Sequence, residues 1–191
     1  MFRHRWKYSV LLAALAIAPS AAALAQQPPQ AAQPAPPPAR PADVESVDAI
    51  IAAVYDVISG PAGQTRDWDR MRSLFVPGAR LIPIGRRQAG GFGARVMTIE
   101  DYVTVAGPSL ERDGFFEREI GRVTERYGNL VHAFSAYDSK RTLADPQPFM
   151  RGINSIQLMH DGTRWWIVTI LWESERPDNP IPEKYLSKNP T

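Results

Sequence analysis

Two turn signals dominate the second half of the chain. Gly128-Asn129 lies between the strand-like runs 116–127 and 130–139, and Asp161-Gly162 lies between 152–160 and 164–173. Dipeptides of this kind close two-residue β-hairpins, so two successive hairpins commit this half to an antiparallel sheet. Such a sheet must bury a face, and the first half supplies the cover. Val44, Val47, Ile51, Val54, Tyr55 and Ile58 recur at helical spacing up to Gly60-Pro61, with Asp43 as N-cap. A short helix is expected over 67–75, with Trp68, Met71 and Phe75 on one side. A third begins at Thr98, with Asp101 three residues on, and ends at Gly107-Pro108. Arg80 to Ile84 reads as a short strand that Pro83 confines to an edge or a bulge. Helices first and hairpins after predict an α+β fold, with three N-terminal helices packed on one face of the sheet.

The ends of the chain account for its charge. The 191 residues carry 22 Lys+Arg and 20 Asp+Glu, a net of +2. Arg3, Arg5, Lys7 and Arg40 precede every acid, which leaves 18 basic against 20 acidic residues from Asp43 onward. A uniformly basic nucleic-acid binder is excluded on that count. Residues 1–25 read as a secretory signal: a positive start, an apolar run from Val10 to Ala18, and an Ala23-Leu24-Ala25 cleavage site. The apolar run is shorter than the roughly 18–20 residues of a membrane span. Residues 26–42 hold seven prolines among Ala and Gln and form an extended linker. The folded domain is expected over 43–175, followed by a proline-containing tail over 176–191. The mature protein is expected in the periplasm or outside the cell, free of the membrane once the signal is removed.

Hairpin register nominates a site. With Gly128-Asn129 as the loop, Glu125 faces His132, Val123 faces Phe134 and Tyr127 faces Leu130. Arg118, Arg122, Thr124 and Arg126 make the opposite face look solvated, so Val123, Leu130, Phe134 and Ala136 are expected inside, with Glu125 and His132 among them. A carboxylate beside an imidazole can hold one tautomer for acid–base work. The plainer reading is a cross-strand polar pair near a sheet edge. In the second hairpin, a two-residue loop places Asn154, Ile156 and Leu158 on one face with Trp165, Ile167, Thr169 and Leu171. Trp166, Val168, Ile170 and Trp172 then lie on the other, where Trp166 and Trp172 suit either core packing or a subunit interface.

Other chemistries find no support. Cysteine is absent, which removes disulfides, thiolate metal sites and a thiol nucleophile. His132 and His160 stand 28 residues apart with no thiol ligands, so no metal or other cofactor is implied. Gly91-Phe92-Gly93-Ala94-Arg95-Val96 lacks the third glycine of a dinucleotide fingerprint and reads as a loop. Ser109 is not in a nucleophile-elbow pattern.

The order helix, short helix, strand, helix, long hairpins resembles the nuclear transport factor 2-like superfamily, in particular its SnoaL-like and ketosteroid-isomerase-like branch. The closest local resemblance is Arg151-Gly152-Ile153-Asn154-Ser155-Ile156-Gln157-Leu158, then Asp161-Gly162 and Arg164-Trp165-Trp166-Ile167-Val168. Gly128-Asn129-Leu130-Val131-His132-Ala133-Phe134-Ser135 is similar to the strand before it. The resemblance implies a cone, a curved sheet wrapped on helices with a pocket between, often paired as a homodimer through the sheet. Its members include isomerases, dehydratases, polyketide cyclases and proteins that only bind or assemble. The isomerases use an acidic base, and Arg80-Leu81-Ile82-Pro83-Ile84 has no acid where one is expected; Tyr55 matches their helical tyrosine only loosely. That departure speaks against steroid-type isomerisation. The expected function is binding of a small, largely apolar molecule, with Tyr55, Trp68 and Tyr102 lining the pocket from the helices, or simply filling the core. Asn154, Glu125 and His132 add polar contacts, and His132 is the general base of any lyase- or isomerase-type chemistry. The alternative is a non-catalytic dimeric assembly module.

Overall fold

A computed structural model describes residues 35–187. The expected leader, most of the linker and the last four residues lie outside these. The elements run α1 (Pro41–Val44), α2 (Val47–Ile58), α3 (Trp68–Leu74), β1 (Phe75–Arg86), β2 (Phe92–Ala94), α4 (Ile99–Asp113), β3 (Phe116–Tyr127), β4 (Leu130–Lys140), β5 (Met150–His160) and β6 (Trp165–Ser174). A 3-10 turn at Glu183–Tyr185 follows.

The expected first helix is broken in two. Ser46 takes extended angles, and its side chain accepts from the Ala49 backbone N–H at 3.0 Å, so Ser46 rather than Asp43 caps the long helix. Asp43 instead receives the Arg70 guanidinium on both carboxylate oxygens, at 2.8 and 2.9 Å. Asp67 caps α3, accepting from Arg70 N–H at 2.9 Å. Thr98 and Asp101 form a reciprocal capping box at the start of α4. That helix runs past Gly107-Pro108 to Asp113, further than the sequence suggests. Leu110 is buried, and its carbonyl accepts from Arg66 at 2.9 Å, which anchors the turn after the proline.

Arg66 is 4% exposed and binds no carboxylate. Its guanidinium donates to the carbonyls of Ile58 at 3.0 Å, Gly60 at 2.7 Å, Leu110 at 2.9 Å, Gln64 at 2.5 Å and Pro61 at 3.4 Å. Ile58 ends α2 and Leu110 lies in the last turns of α4, where carbonyls have no helical partner.

Six strands form one sheet in the order β2-β1-β6-β5-β4-β3. β1 and β6 pair in parallel, and the other neighbours are antiparallel. β1 is longer than the expected 80–84, and the expected loop near 91–96 contains β2, paired to Ile84–Arg86. The first hairpin keeps the expected register: Glu125 opposes His132, Val123 opposes Phe134, and Tyr127 opposes Leu130.

Its faces are the reverse of those expected. Val131, Ala133, Ser135 and Tyr137 are at most 1% exposed and face the helices, with Arg122, Thr124 and Arg126 opposite or beside them. The arginines tolerate this because their charges are engaged while their stems pack. Arg126 stands 5.3 Å from the Trp165 ring, and Arg122 pairs with Asp48 of α2 and, at 3.5 Å, with Glu119.

The second hairpin departs in register. Asp161 accepts from the Thr163 and Arg164 backbone N–H groups at 2.8 and 2.9 Å, building a four-residue turn over 161–164. Leu158 then opposes Ile167, and an irregularity follows, so that Ile156 opposes Ile170 and Asn154 opposes Trp172. The extra residue at Val168 turns Ile170 and Trp172 to the helical side, while Trp166 stays outside against Arg164 and Asp161. The core lies between α2, α3 and this inner face, centred on Ile50, Ile51, Met71, Leu74, Ile156 and Ile167. Across the outer face runs the tail. The Tyr185 ring lies 4.9 Å from Phe134, and Ser187 accepts from Arg122 N–H at 3.3 Å. Gly121 permits this approach, since a Cβ there would sit 2.3 Å from the Tyr185 carbonyl oxygen.

Candidate functional site

Between α2, α4 and the inner face of the sheet lies a cavity of about 200 Å³. Tyr55 and Ile58 line it from α2, Tyr102 and Leu110 from α4, and Glu117, Tyr137, Asn154, Ile156, Ile170 and Trp172 from β3 to β6. Its walls are apolar apart from the phenols, the amide and one carboxyl group. The Tyr102 ring meets Trp172 edge-on at 6.4 Å. Beside it an open cleft of about 1010 Å³ carries Asp48, Asp56, Arg118, Glu119, Arg122 and Lys140. Tyr55 and Glu117 line both spaces.

Glu117 is the group that stands out chemically. One carboxyl oxygen accepts from Ser139 Oγ at 2.9 Å and the other from Asn154 Nδ2 at 3.4 Å. The residue keeps some exposure toward the cleft, but protein atoms surround the carboxyl group itself. That burial raises its pKa to about 7, against the pull of its two hydrogen bonds and with a small push from Asp138. An acid that titrates near neutrality in an apolar setting can both take and give a proton.

Tyr55 is held by a closed set of bonds. Ser135 Oγ gives its hydrogen to Glu119 at 2.7 Å, so the Tyr55 hydroxyl, 2.7 Å away, is the donor to Ser135. Asn154 Nδ2 in turn donates to the Tyr55 oxygen at 3.1 Å. Burial, then the neighbouring Glu117 charge, pushes both Tyr55 and Tyr102 well above the ordinary phenol range, so both remain protonated.

Of the residues nominated from sequence, Tyr55, Tyr102 and Asn154 meet in this cavity. Trp68 does not line it; the ring packs on the core, close over Gly107 of α4. Glu125 and His132 are paired as expected, with Nδ1 3.5 Å from Oε2, but on the outer face. The Glu125 side chain is 79% exposed, and His132 Nε2 bonds Ser155 Oγ at 2.9 Å. The reason is the inverted face: the buried side of β4 is the one carrying Val131, Ala133 and Ser135. Glu117 and Tyr137 were not nominated. β3 shifts by one residue between Glu119 and Gly121, which turns Glu117 and Glu119 inward while Glu125 points out. A glycine inside a strand was the available signal of that bulge. Among the described residues no group of three or more His, Asp or Glu is placed to hold a metal ion.

No protein-family model matches this chain, and no curated protein matches it. Solved structures do. A protein of unknown function with a cystatin-like fold from Nostoc punctiforme matches at 11% identity and a TM-score of 0.50, over 71% of this chain and 92% of that one. A nuclear transport factor 2-like protein of unknown function from Silicibacter pomeroyi matches at 11% identity and a TM-score of 0.44, over 69% and 94%. A putative ketosteroid isomerase from Parabacteroides distasonis matches at 15% identity and a TM-score of 0.44, over 70% and 91%. At these identities the likeness is one of fold. The chain has the α+β, cystatin-like fold, the architecture that its resemblance to the nuclear transport factor 2-like superfamily implied.

Proposed function

We propose that this chain is an exported SnoaL-like protein that binds a small, largely apolar molecule in the cavity and moves a proton on it through Glu117. The observation that carries this is a carboxyl group titrating at about 7 inside a cavity walled by Tyr55, Tyr102, Tyr137 and Trp172. In its ionised form Glu117 takes a proton from carbon next to a carbonyl group and returns it to the same molecule. Glu117 thus replaces His132 as the acid–base group. Action in the periplasm or outside the cell is supported by the leader-like residues 1–25 alone.

The test is deuterium uptake at the α-carbon of a small ketone in D2O, followed by NMR. Uptake above the buffer rate should rise with pH through about 7 and fall by about 100-fold or more in Glu117→Gln. His132→Ala should retain it. Ketone binding with no uptake at any pH would leave a binding protein without this chemistry.

One observation favours the assembly reading. Leu130, Met159 and Trp166 stand side by side across three strands of the outer face, and Leu130 and Met159 are 53% and 38% exposed. A homodimer through this stripe should appear in native mass spectrometry and be lost in Met159→Glu. A monomer in the parent protein would remove the dimer.

A further inference from the structure

Residues 70–99 hold six of the 18 basic residues that follow Asp43 and none of the 20 acids. Arg70 and Arg72 are engaged by Asp43, Asp56, Asp69 and Glu100. Arg80 is half-buried, and the other three stand on the β1–β2 hairpin. Arg86 pairs with Asp178 at 2.9 Å and lies 5.2 Å from the Phe92 ring. Arg87 and Arg95 are exposed and form no ion pair among the described residues. Asp101 senses the charges of Arg95 and Arg80, but Thr98 N–H and Oγ already hold its carboxylate at 2.9 and 2.7 Å.

The hairpin also leaves backbone groups open. Ile84 opposes Ala94 and Arg86 opposes Phe92, and the pairing continues past β2. There Arg95 N–H donates to the Pro83 carbonyl at 3.1 Å, and Leu81 and Met97 exchange bonds at 2.9 and 3.0 Å. Alternate pairs of an antiparallel ladder carry its hydrogen bonds. Gly93, Arg95 and Met97 therefore turn their N–H and C=O groups to β1, whereas Phe92, Ala94 and Val96 turn theirs away from it. β2 ends the sheet, with no strand beyond it. Side chains alternate too. Phe92, Ala94 and Val96 share one face and are exposed. Arg95 shares the other with Arg87, whose Nε lies 2.2 Å from where a Cβ of Gly93 would sit. The lining of an open trough of about 310 Å³ includes Gly85, Gly93, Arg87 and Arg95.

An exposed edge with open backbone groups accepts a further strand. Two copies of this chain joined edge to edge would bring their arginines together, which like charge opposes. An acidic strand meets the opposite sign. We propose that β2 takes up an extended segment of another protein by strand addition, and that this segment alternates acidic with apolar residues. Its acids lie toward Arg87 and Arg95 over the glycines, and its apolar side chains lie beside Phe92 and Val96. Neither the cavity nor Glu117 takes part, so this contact is independent of the proposed chemistry.

Fluorescence anisotropy of labelled, end-capped hexapeptides titrated with the full chain tests both parts of the proposal. An alternating Glu-Val peptide should bind at least about tenfold more tightly than an alternating Lys-Val peptide, and than a block peptide of three Glu followed by three Val. Arg87→Glu combined with Arg95→Glu should reverse the preference between the Glu-Val and Lys-Val peptides. Ala94→Pro removes an edge-facing N–H without altering charge or the bonds to β1, and should weaken the Glu-Val peptide about tenfold with the circular dichroism unchanged. Block and alternating peptides of equal affinity, or an affinity unmoved in a folded Ala94→Pro variant, would reduce the contact to charge attraction and overturn strand addition. Absence of Glu-Val binding to the parent protein would overturn it as well. So would sedimentation with phosphatidylglycerol vesicles in place of peptide binding, which would make the hairpin a membrane contact.

Discussion

Arg66→Met should lower the stability of the fold by about 2–4 kcal/mol, the scale of losing a charged donor that serves buried carbonyl groups. The side chain donates to five carbonyls from two helices and the loop between α2 and α3. Burial pushes the pKa of Arg66 down and Glu111 pulls it back, but guanidinium remains charged throughout. Its charge sits where the negative ends of α2 and α4 converge, so the helix dipoles take the place of a carboxylate. Methionine fills similar space but takes its donor from the buried Leu110 carbonyl, while the Gly60 carbonyl keeps the Phe115 backbone N–H at 3.0 Å. At about 2–4 °C per kcal/mol for a chain of this size, the melting temperature should fall by roughly 10 °C. Arg66→Lys should recover less than half, because one ammonium cannot span the fork. A loss under about 1 kcal/mol in thermal or urea unfolding would show that the carbonyls find other donors.

Glu117→Gln should be more stable than the parent at pH 8 by up to about 3 kcal/mol, and equal to it at pH 4. The sign follows from proton binding. Folding raises the pKa of Glu117 from 4.5 to about 7, so the folded chain holds the proton more tightly than the unfolded chain. The stability this confers is complete below about 4.5 and is lost as pH rises through about 7. Glutamine keeps the shape and never ionises, so the difference between the two proteins isolates this one group. Urea unfolding from pH 4 to 8 measures it. A difference that does not grow with pH would mean that the carboxyl is solvated. If the variant is stabler at pH 8 and inactive in deuterium uptake, the parent gives up stability to keep an ionisable acid in an apolar cavity.

How far the sequence leads depends on strand parity. Gly128-Asn129 gave the correct partners for Glu125, Val123 and Tyr127, because a tight turn sets register locally. It did not say which face is buried. Arg126 is exposed, with its guanidinium over the Trp165 ring, but Arg122 packs inward and pairs with Asp48 of α2, a contact from a distant part of the chain. Two single-residue bulges did the rest. One near Gly121 brought Glu117 into the site, and one near Val168 brought in Trp172. Each reverses parity for everything beyond it. Tyr55 and Asn154 were legible because the helical stripe ending at Ile58 and the strand through Ile156 are regular. The acid was not, since its inward direction depends on an irregularity that no alternation displays.

Glu117 and Tyr55 form a party wall between the cavity and the charged cleft. Under the proposed function, an acid so placed would work as a turnstile, with the apolar guest on one side and the charged cleft on the other. A proton taken from the guest would leave through the same carboxyl group that received it, and the guest itself would not have to enter the cleft. The shared wall would then separate the traffic of protons from the traffic of molecules.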